Sequence, residues 1–427
     1  MDKNAKNFRE FLDSARSSYH VVALLEEELK GAGYEALAEQ ENWRLQPGGK
    51  YYLTRGGNSL IAFRMPQKQP VGFMMSAAHC DRPTFKVKEN GELVGKYTRL
   101  ATEKYGGMLI STWLDRPLSV AGRVVVETED GTCCRVVDID RDLLLIPNVA
   151  IHMNRKANEG YTWNPAVDTL PLLGGKDAAG KLAALLEEAA GGKVLGHDLY
   201  LYVRQPASVW GVEEEYLSAP GLDDLGCVWC CKEGLLNADS SDAVSMLCVF
   251  DSEEVGSGSV QGAGSTFLGD AIKRICDTEK LDMNTMLRGS FMLSADNANA
   301  LHPNHPEYSD EKNAPIMGEG VVLKFNAALR YTTDGATAAI FRKICKKADV
   351  PVQTYYNRAD LPGGSTLGCV SQGQVSVPAA DIGLPQLAMH SSFETVSLQD
   401  VRYLEMVMAA YYGSTLQLHD DGSCTVK

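Results

Sequence analysis

The sequence predicts an α/β domain interrupted by a β-rich insertion. Two patterns lead there. Apolar runs of strand length alternate with helix-like stretches near the start of the chain and again after about residue 220. Between roughly residues 91 and 205 the runs turn β-rich and are joined by tight turns. A third observation bears on function: histidines and acids stand where apolar runs stop, at His79, at Glu253-Glu254, at Asp296 and shortly after a run at His390. Sites of open α/β sheets form at such strand ends.

Taken in order, residues 7–31 read as one or two helices that stop at Gly31. Tyr51 to Thr54 and Leu60 to Phe63, separated by Gly56-Gly57, read as a hairpin. Val71 to His79 is an apolar strand running into a histidine. Within the insertion, two β-rich runs flank the Asp130-Gly131 turn, residues 176–191 are helical and Leu199 to Val203 is a strand. Asp223 and Asp224 lie in a turn before a helix-like run from Gly226 to Leu236. Ala243 to Phe250 is a buried strand, because eight mostly apolar residues cannot sit in a solvated loop. The expected division is residues 1–90 with 206–427 as one discontinuous domain and 91–205 as the insertion.

The composition, 44% hydrophobic and 22% charged over 427 residues, is that of a globular protein. A net charge of −14 argues against nucleic acid and against an anionic membrane surface, both of which need clustered Lys and Arg. The polar N-terminal stretch lacks the apolar core of a signal peptide, and no run approaches a membrane span. Eleven cysteines are scattered, and the lone Cys227-x-x-Cys230 has half the ligands of a zinc knuckle. Reduced thiols in a cytoplasmic protein are the expectation.

The Glu253-Glu254 pair carries the chemistry. One carboxylate can hold a metal while its neighbour takes a proton from a metal-bridging water. Two histidines and three carboxylates suit a pair of divalent ions that share one carboxylate, with zinc, cobalt or manganese fitting mixed imidazole and carboxylate ligation. Asp81, two residues after His79, can accept that histidine's other N–H and fix its tautomer. Taken singly, each histidine also reads as a structural residue and Asp296 as a turn aspartate.

Several motifs, in order, resemble the M18 family of metallopeptidases, the aspartyl aminopeptidases. They are Ala78-His79-Cys80-Asp81, Tyr105-Gly-Gly, Ser111 to Arg116, Ala150-Ile-His152 to Arg155, Leu222-Asp223 and Asp251 to Ser257. Gln261 to Gly264, Ser294-Ala-Asp296, His302-Pro-Asn304, the Gly-Gly-Ser-Thr-Leu-Gly368 stretch, Asp381-Ile-Gly383 and Met389-His390-Ser391 follow. The resemblance spans Phe11 to about Gly413. It implies an α/β/α metallopeptidase domain interrupted by a β-rich oligomerisation domain, and assembly into a tetrahedral homododecamer. Asp223 would bridge the two ions, His79 and Asp296 would complete one, and Glu254 and His390 the other. Glu253 would be the general base and Asp81 the partner of His79. His152 would reach a neighbouring subunit's site and steady the tetrahedral intermediate. Lys324 would contact the acidic side chain of the substrate's first residue.

The implied activity is release of N-terminal Asp or Glu from short peptides. The alternatives are a neutral or broad-specificity aminopeptidase, a related deacylase, or a silent scaffold subunit. Retention of Glu253 and all five ligands argues against the last, since clustered buried acids are costly to keep. The chain departs from the family pattern at Arg82, Asp224, Asn299, Gly363 and Phe393. None of these removes an expected ligand, and together they bear on substrate preference.

Overall fold

Strands without a polar face form the centre of the molecule. The computed structural model describes residues 3–419 and 421–427, so Met1 and Asp2 of the polar N-terminal stretch lie outside the described residues. Phe73–His79 and Val244–Phe250 are buried along their whole lengths. Such strands need cover on both sides, and successive side chains point to opposite faces. Met74 and Ala78 pack with the helices Lys3–Ser14, Ser18–Gly31, Leu222–Asn237 and Leu398–Tyr412. Phe73, Met75 and Ala77 pack instead with the helices Phe267–Glu279 and Met283–Arg288. The result is a mixed sheet between two helical layers.

Among the described residues this sheet has nine strands, in the order Glu35–Ala36, Lys50–Arg55, Ser59–Arg64, Val244–Phe250, Phe73–His79, Phe291–Ala295, Ala379–Gly383, Val321–Phe325 and Val352–Tyr356. The three central strands run parallel. Phe250 pairs with His79, and Ser294 with Ala77. The residues that follow Phe250 and Ala295 therefore emerge at the same edge as His79.

The strands between Thr84 and Val203 form a separate six-stranded sheet with its own core, which includes Phe85, Trp113, Val120, Leu186 and Leu201. The expected turn at Asp130-Gly131 joins Leu118–Thr128 to Gly131–Asp138 in this sheet. The expected helix at 176–191 is shorter, Lys181–Ala190, after a 3-10 turn at Lys176–Ala178. A smaller five-stranded sheet joins Tyr216–Ala219 to Glu394–Ser397, with Ala219 opposite Glu394. No helix among the described residues is long and apolar enough to cross a membrane.

Candidate metal centre

The parallel register delivers the first candidate ligands. His79 ends its strand, and Phe250 beside it leads through Asp251 and Ser252 into the 3-10 turn Glu253–Val255. Asp223 comes from the first turn of the helix Leu222–Asn237. Asp296 follows the strand Phe291–Ala295 and is tied to the sheet by its N–H to the Ile382 carbonyl at 2.9 Å. His390 sits in left-handed backbone at φ 63°, which a side chain adopts only when its surroundings hold it there. Two bonds do so: its N–H donates to Glu394 Oε1 at 2.6 Å, and its carbonyl accepts from Leu109 N–H at 3.0 Å.

Asp223 stands between the two histidines. His79 Nε2 is 3.5 Å from Asp223 Oδ1, and His390 Nε2 is 3.4 Å from Asp223 Oδ2 and 3.4 Å from Glu254 Oε1. Yet Asp223 Oδ1 and Glu254 Oε1 are shielded from solvent and have no hydrogen-bond partner. Two ligands bonded at about 2.0–2.1 Å to one tetrahedral ion lie roughly 3.3 Å apart. The atoms are thus spaced like co-ligands and poorly placed to bond each other. Asp223, Glu254 and His390 offer ligand atoms within 4.8 Å of one another. Asp296 acts on His79 and Asp223 electrostatically.

Asp81 braces the site. Its Oδ1 accepts the Glu253 N–H at 3.1 Å, and its Oδ2 accepts the Glu254 N–H at 3.1 Å and the Tyr105 hydroxyl at 2.8 Å. His79 Nδ1 is 3.4 Å from Asp81 Oδ1 and 3.1 Å from the Asp81 carbonyl. One carboxylate therefore fixes both the imidazole and the turn that carries the two glutamates. Tyr105 comes from the six-stranded sheet. Gly106, at φ 76°, allows the chain to turn after it and leaves room for Glu254, whose Cβ would lie 3.1 Å from a Cβ at that position.

Charge in this cleft is strongly perturbed. Burial pushes the Glu253 carboxyl up to about 8, with Asp296, Asp81 and Asp223 adding to the rise and His79 opposing it. Burial also raises Glu254, and Asp223 adds to it. Burial alone would raise Asp223, but His390 and His79 outweigh it and hold that carboxyl well below the usual range. Burial alone would lower His390, but Asp223 and Glu254 carry it up to about 10. Acids and imidazoles so arranged trade protons with each other when no other cation is present.

The two residues expected to meet substrate differ in setting. Lys324 is buried, and its Nζ donates to Asp296 Oδ1 at 2.9 Å, the Asp296 carbonyl at 2.8 Å and the Asn297 carbonyl at 3.1 Å. Those bonds use all three of its protons. A direct contact with an acidic substrate would compete with one of these bonds. His152 lies on an exposed turn and has no hydrogen bond or ion pair among the described residues.

Three residues gain roles that motif matching had not given them. Tyr105 anchors Asp81, as above. Glu394, the residue after Phe393, is buried and accepts from the backbone of both Asp223 (3.0 Å) and His390 (2.6 Å). Asp224 is fully buried, and its Oδ2 accepts the His79 N–H at 3.2 Å.

The residues fit divalent metal. Hard carboxylate oxygens without partners, two imidazoles and a neighbouring glutamate are a donor set that a divalent ion takes. The family model described as Aminopeptidase I zinc metalloprotease (M18) matches residues 11–412. A Probable M18 family aminopeptidase 2 of Clostridium novyi is 38% identical over 426 residues, covering 96% of this chain and 98% of that protein. The namesake from Pseudomonas aeruginosa PAO1 is 38% identical over 419 residues, covering 95% and 97%. Among solved structures, the cryo-EM structure of the Ape4 and Nbr1 complex matches with a TM-score of 0.92 at 34% identity, covering 96% of this chain and 85% of that one. The S. cerevesiae mApe1 dodecamer matches with a TM-score of 0.84 at 25% identity, covering 96% of each chain. The chain belongs to the M18 family: it is a metallo-aminopeptidase that uses divalent metal.

Proposed function

We propose that this aminopeptidase releases N-terminal Asp or Glu from short peptides, with Glu253 as general base beside two divalent ions, zinc foremost. His79, Asp223 and Asp296 would hold one ion, and Asp223, Glu254 and His390 the other. When bound, the ions supply Lewis-acid polarisation of the scissile carbonyl and acidify water in the cleft. Glu253 takes the proton of the attacking water and returns it to the leaving amine. Asp81 keeps Glu253 in position, and Lys324 orients Asp296. The observation that carries this reading is the Glu253–Glu254 turn, whose two N–H groups are fixed on one carboxylate while Glu254 faces His390.

The preference for acidic residues is supported by the motifs shared with aspartyl aminopeptidases. Assembly into a tetrahedral dodecamer is supported by the mApe1 likeness and by the exposed apolar residues Val149, Ile151 and Met153 around His152. In such an assembly His152 would complete a neighbour's site. Peptide turnover in the cytoplasm is the proposed role, where the scattered free cysteines would stay reduced.

Glu253→Gln tests the mechanism. It should keep full metal content, measured by elemental analysis, and lower kcat by roughly 10²–10⁴-fold. Turnover near wild type in the fully loaded variant would remove Glu253 from the role of base.

A further inference from the structure

The turn that carries the two glutamates begins on a residue whose backbone resists it. Ser252, between Asp251 and Glu253, sits in the left-handed region at φ 66° and ψ 20° and is 8% exposed. A residue with a Cβ seldom adopts that conformation, because the Cβ crowds the following carbonyl oxygen. In an extended or right-handed conformation Ser252 would send Glu253 and Glu254 away from the strand end in another direction, since its two dihedral angles carry everything after it.

Such a turn persists only where its surroundings hold it. Ser252 Oγ donates to Asp251 Oδ2 at 3.2 Å and accepts the Ser259 hydroxyl at 2.9 Å. The Ser252 carbonyl accepts the Ser257 N–H at 2.7 Å. Asp251 is itself anchored: its Oδ2 accepts Asn58 Nδ2 at 2.6 Å, and its N–H donates to Ser59 Oγ at 3.1 Å. Ser257, also left-handed at φ 57°, accepts the Gly264 N–H at 3.2 Å on its carbonyl. Residues 252–264 thus fold back on Ser252 as a loop closed by serine hydroxyls and carbonyls. Asp81 receives the two N–H groups that follow Ser252; the serine clamp holds Ser252 itself.

We infer that Ser252 is a positioning residue for the reaction: its left-handed turn aims Glu253 and Glu254 into the cleft, and the Ser259 hydroxyl clamps that turn. The inference rests on Glu253 as general base. The test measures kcat and KM of the metal-loaded full chain, on whichever peptide wild-type protein cleaves fastest among those beginning Asp, Glu, Leu and Ala. Ser252→Ala and Ser252→Gly both delete the hydroxyl and differ only in the Cβ, so their ratio isolates the backbone. Ser252→Ala should lower kcat roughly 5–30-fold at unchanged metal content, the factor that left-handed backbone costs when nothing holds it. Ser252→Gly, free of that cost, should retain about five times the kcat of Ser252→Ala or more. Ser259→Ala should lower kcat roughly 3–10-fold, with little further effect on the Ser252→Gly background, where no clamp is needed. KM should change less than kcat throughout. A merely structural role would move the unfolding temperature and leave the kcat of folded, loaded protein alone.

Equal kcat for Ser252→Ala and Ser252→Gly would overturn the inference, as would equal effects of Ser259→Ala on both backgrounds. Should a Ser252 variant fail to fold, Ser259→Ala alone decides, and a kcat within about twofold of wild type would overturn the clamp. Turnover near wild type in Glu253→Gln would overturn the base assignment instead, and the alanine-to-glycine ratio at position 252 reads the turn separately.

Discussion

Asp81→Asn separates a residue that positions the chemistry from one that merely fills space. Asp81 is 5% exposed and accepts three hydrogen bonds, from Glu253 N–H, Glu254 N–H and the Tyr105 hydroxyl. Asparagine has the same shape, but one oxygen becomes an NH₂ donor. If the NH₂ replaces Oδ1, it faces the Glu253 N–H; if it replaces Oδ2, it faces the Glu254 N–H and the Tyr105 hydroxyl. Either way a backbone donor of the catalytic turn loses its acceptor, and the negative charge beside His79 goes too. A hydrogen bond to a charged group contributes about 1.5–3 kcal/mol. If that loss falls on the transition state, it corresponds to roughly 10–100-fold in kcat, the range found when partners of metal-ligating histidines are removed. Steady-state kinetics at saturating metal, with metal content measured on the same sample, should show kcat lowered by that factor and a smaller change in KM. A kcat within about twofold of wild type at full metal content would refute the bracing role.

Two further outcomes follow from the charges. His20 is held down to about 4 by burial, with Arg82 and Arg16 adding to the effect. A folded-state value below the unfolded one gives stability that is complete above pH ~6.5 and is lost as pH falls toward 4, amounting to about 2–3 kcal/mol. His20→Gln should flatten that part of the thermal-unfolding profile between pH 4 and 7, and an unchanged slope would remove His20 as its source. Chelator-stripped protein titrated with zinc should take two equivalents per chain, and saturation at one would refute the paired-ion arrangement.

The site was legible in the sequence wherever a strand end announced it. His79, Glu253 and Asp296 stand at or just past the ends of mostly apolar runs, and parallel pairing of three such runs brings their ends to one edge. What the sequence could not supply was register between distant segments. Lys324 reads as a solvated or substrate-facing strand residue until antiparallel pairing opposite Asp381 sets it inside the sheet, next to Asp296. Glu394 gained meaning only when a short strand set it opposite Ala219, four residues before Asp223. The long strands Thr84–Val94 and Tyr97–Tyr105 escaped notice because charged residues such as Lys88, Glu89 and Glu92 break their alternation. Tyr105, at the end of the second, therefore appeared as a motif letter and not as the anchor of Asp81.

The acid content of the cleft itself argues for bound cations. Seven carboxylates converge there: Asp81, Asp223, Asp224, Glu253, Glu254, Asp296 and Glu394. Burial pushes Glu253 and Glu394 up to about 8 and raises Asp224 and Glu254 as well, while Lys324 offsets part of the charge of Asp296. With the imidazoles neutral, as ligation requires, cations are what let such carboxylates ionise together. Ionised and uncompensated in a desolvated pocket, each would cost several kcal/mol. Without ions, the histidines must charge and the glutamates must take protons, which is the pattern of shifts found here. Proton and metal thus compete for the same atoms. A base that is nearly neutral in the empty site becomes ionised when the cations that need it arrive.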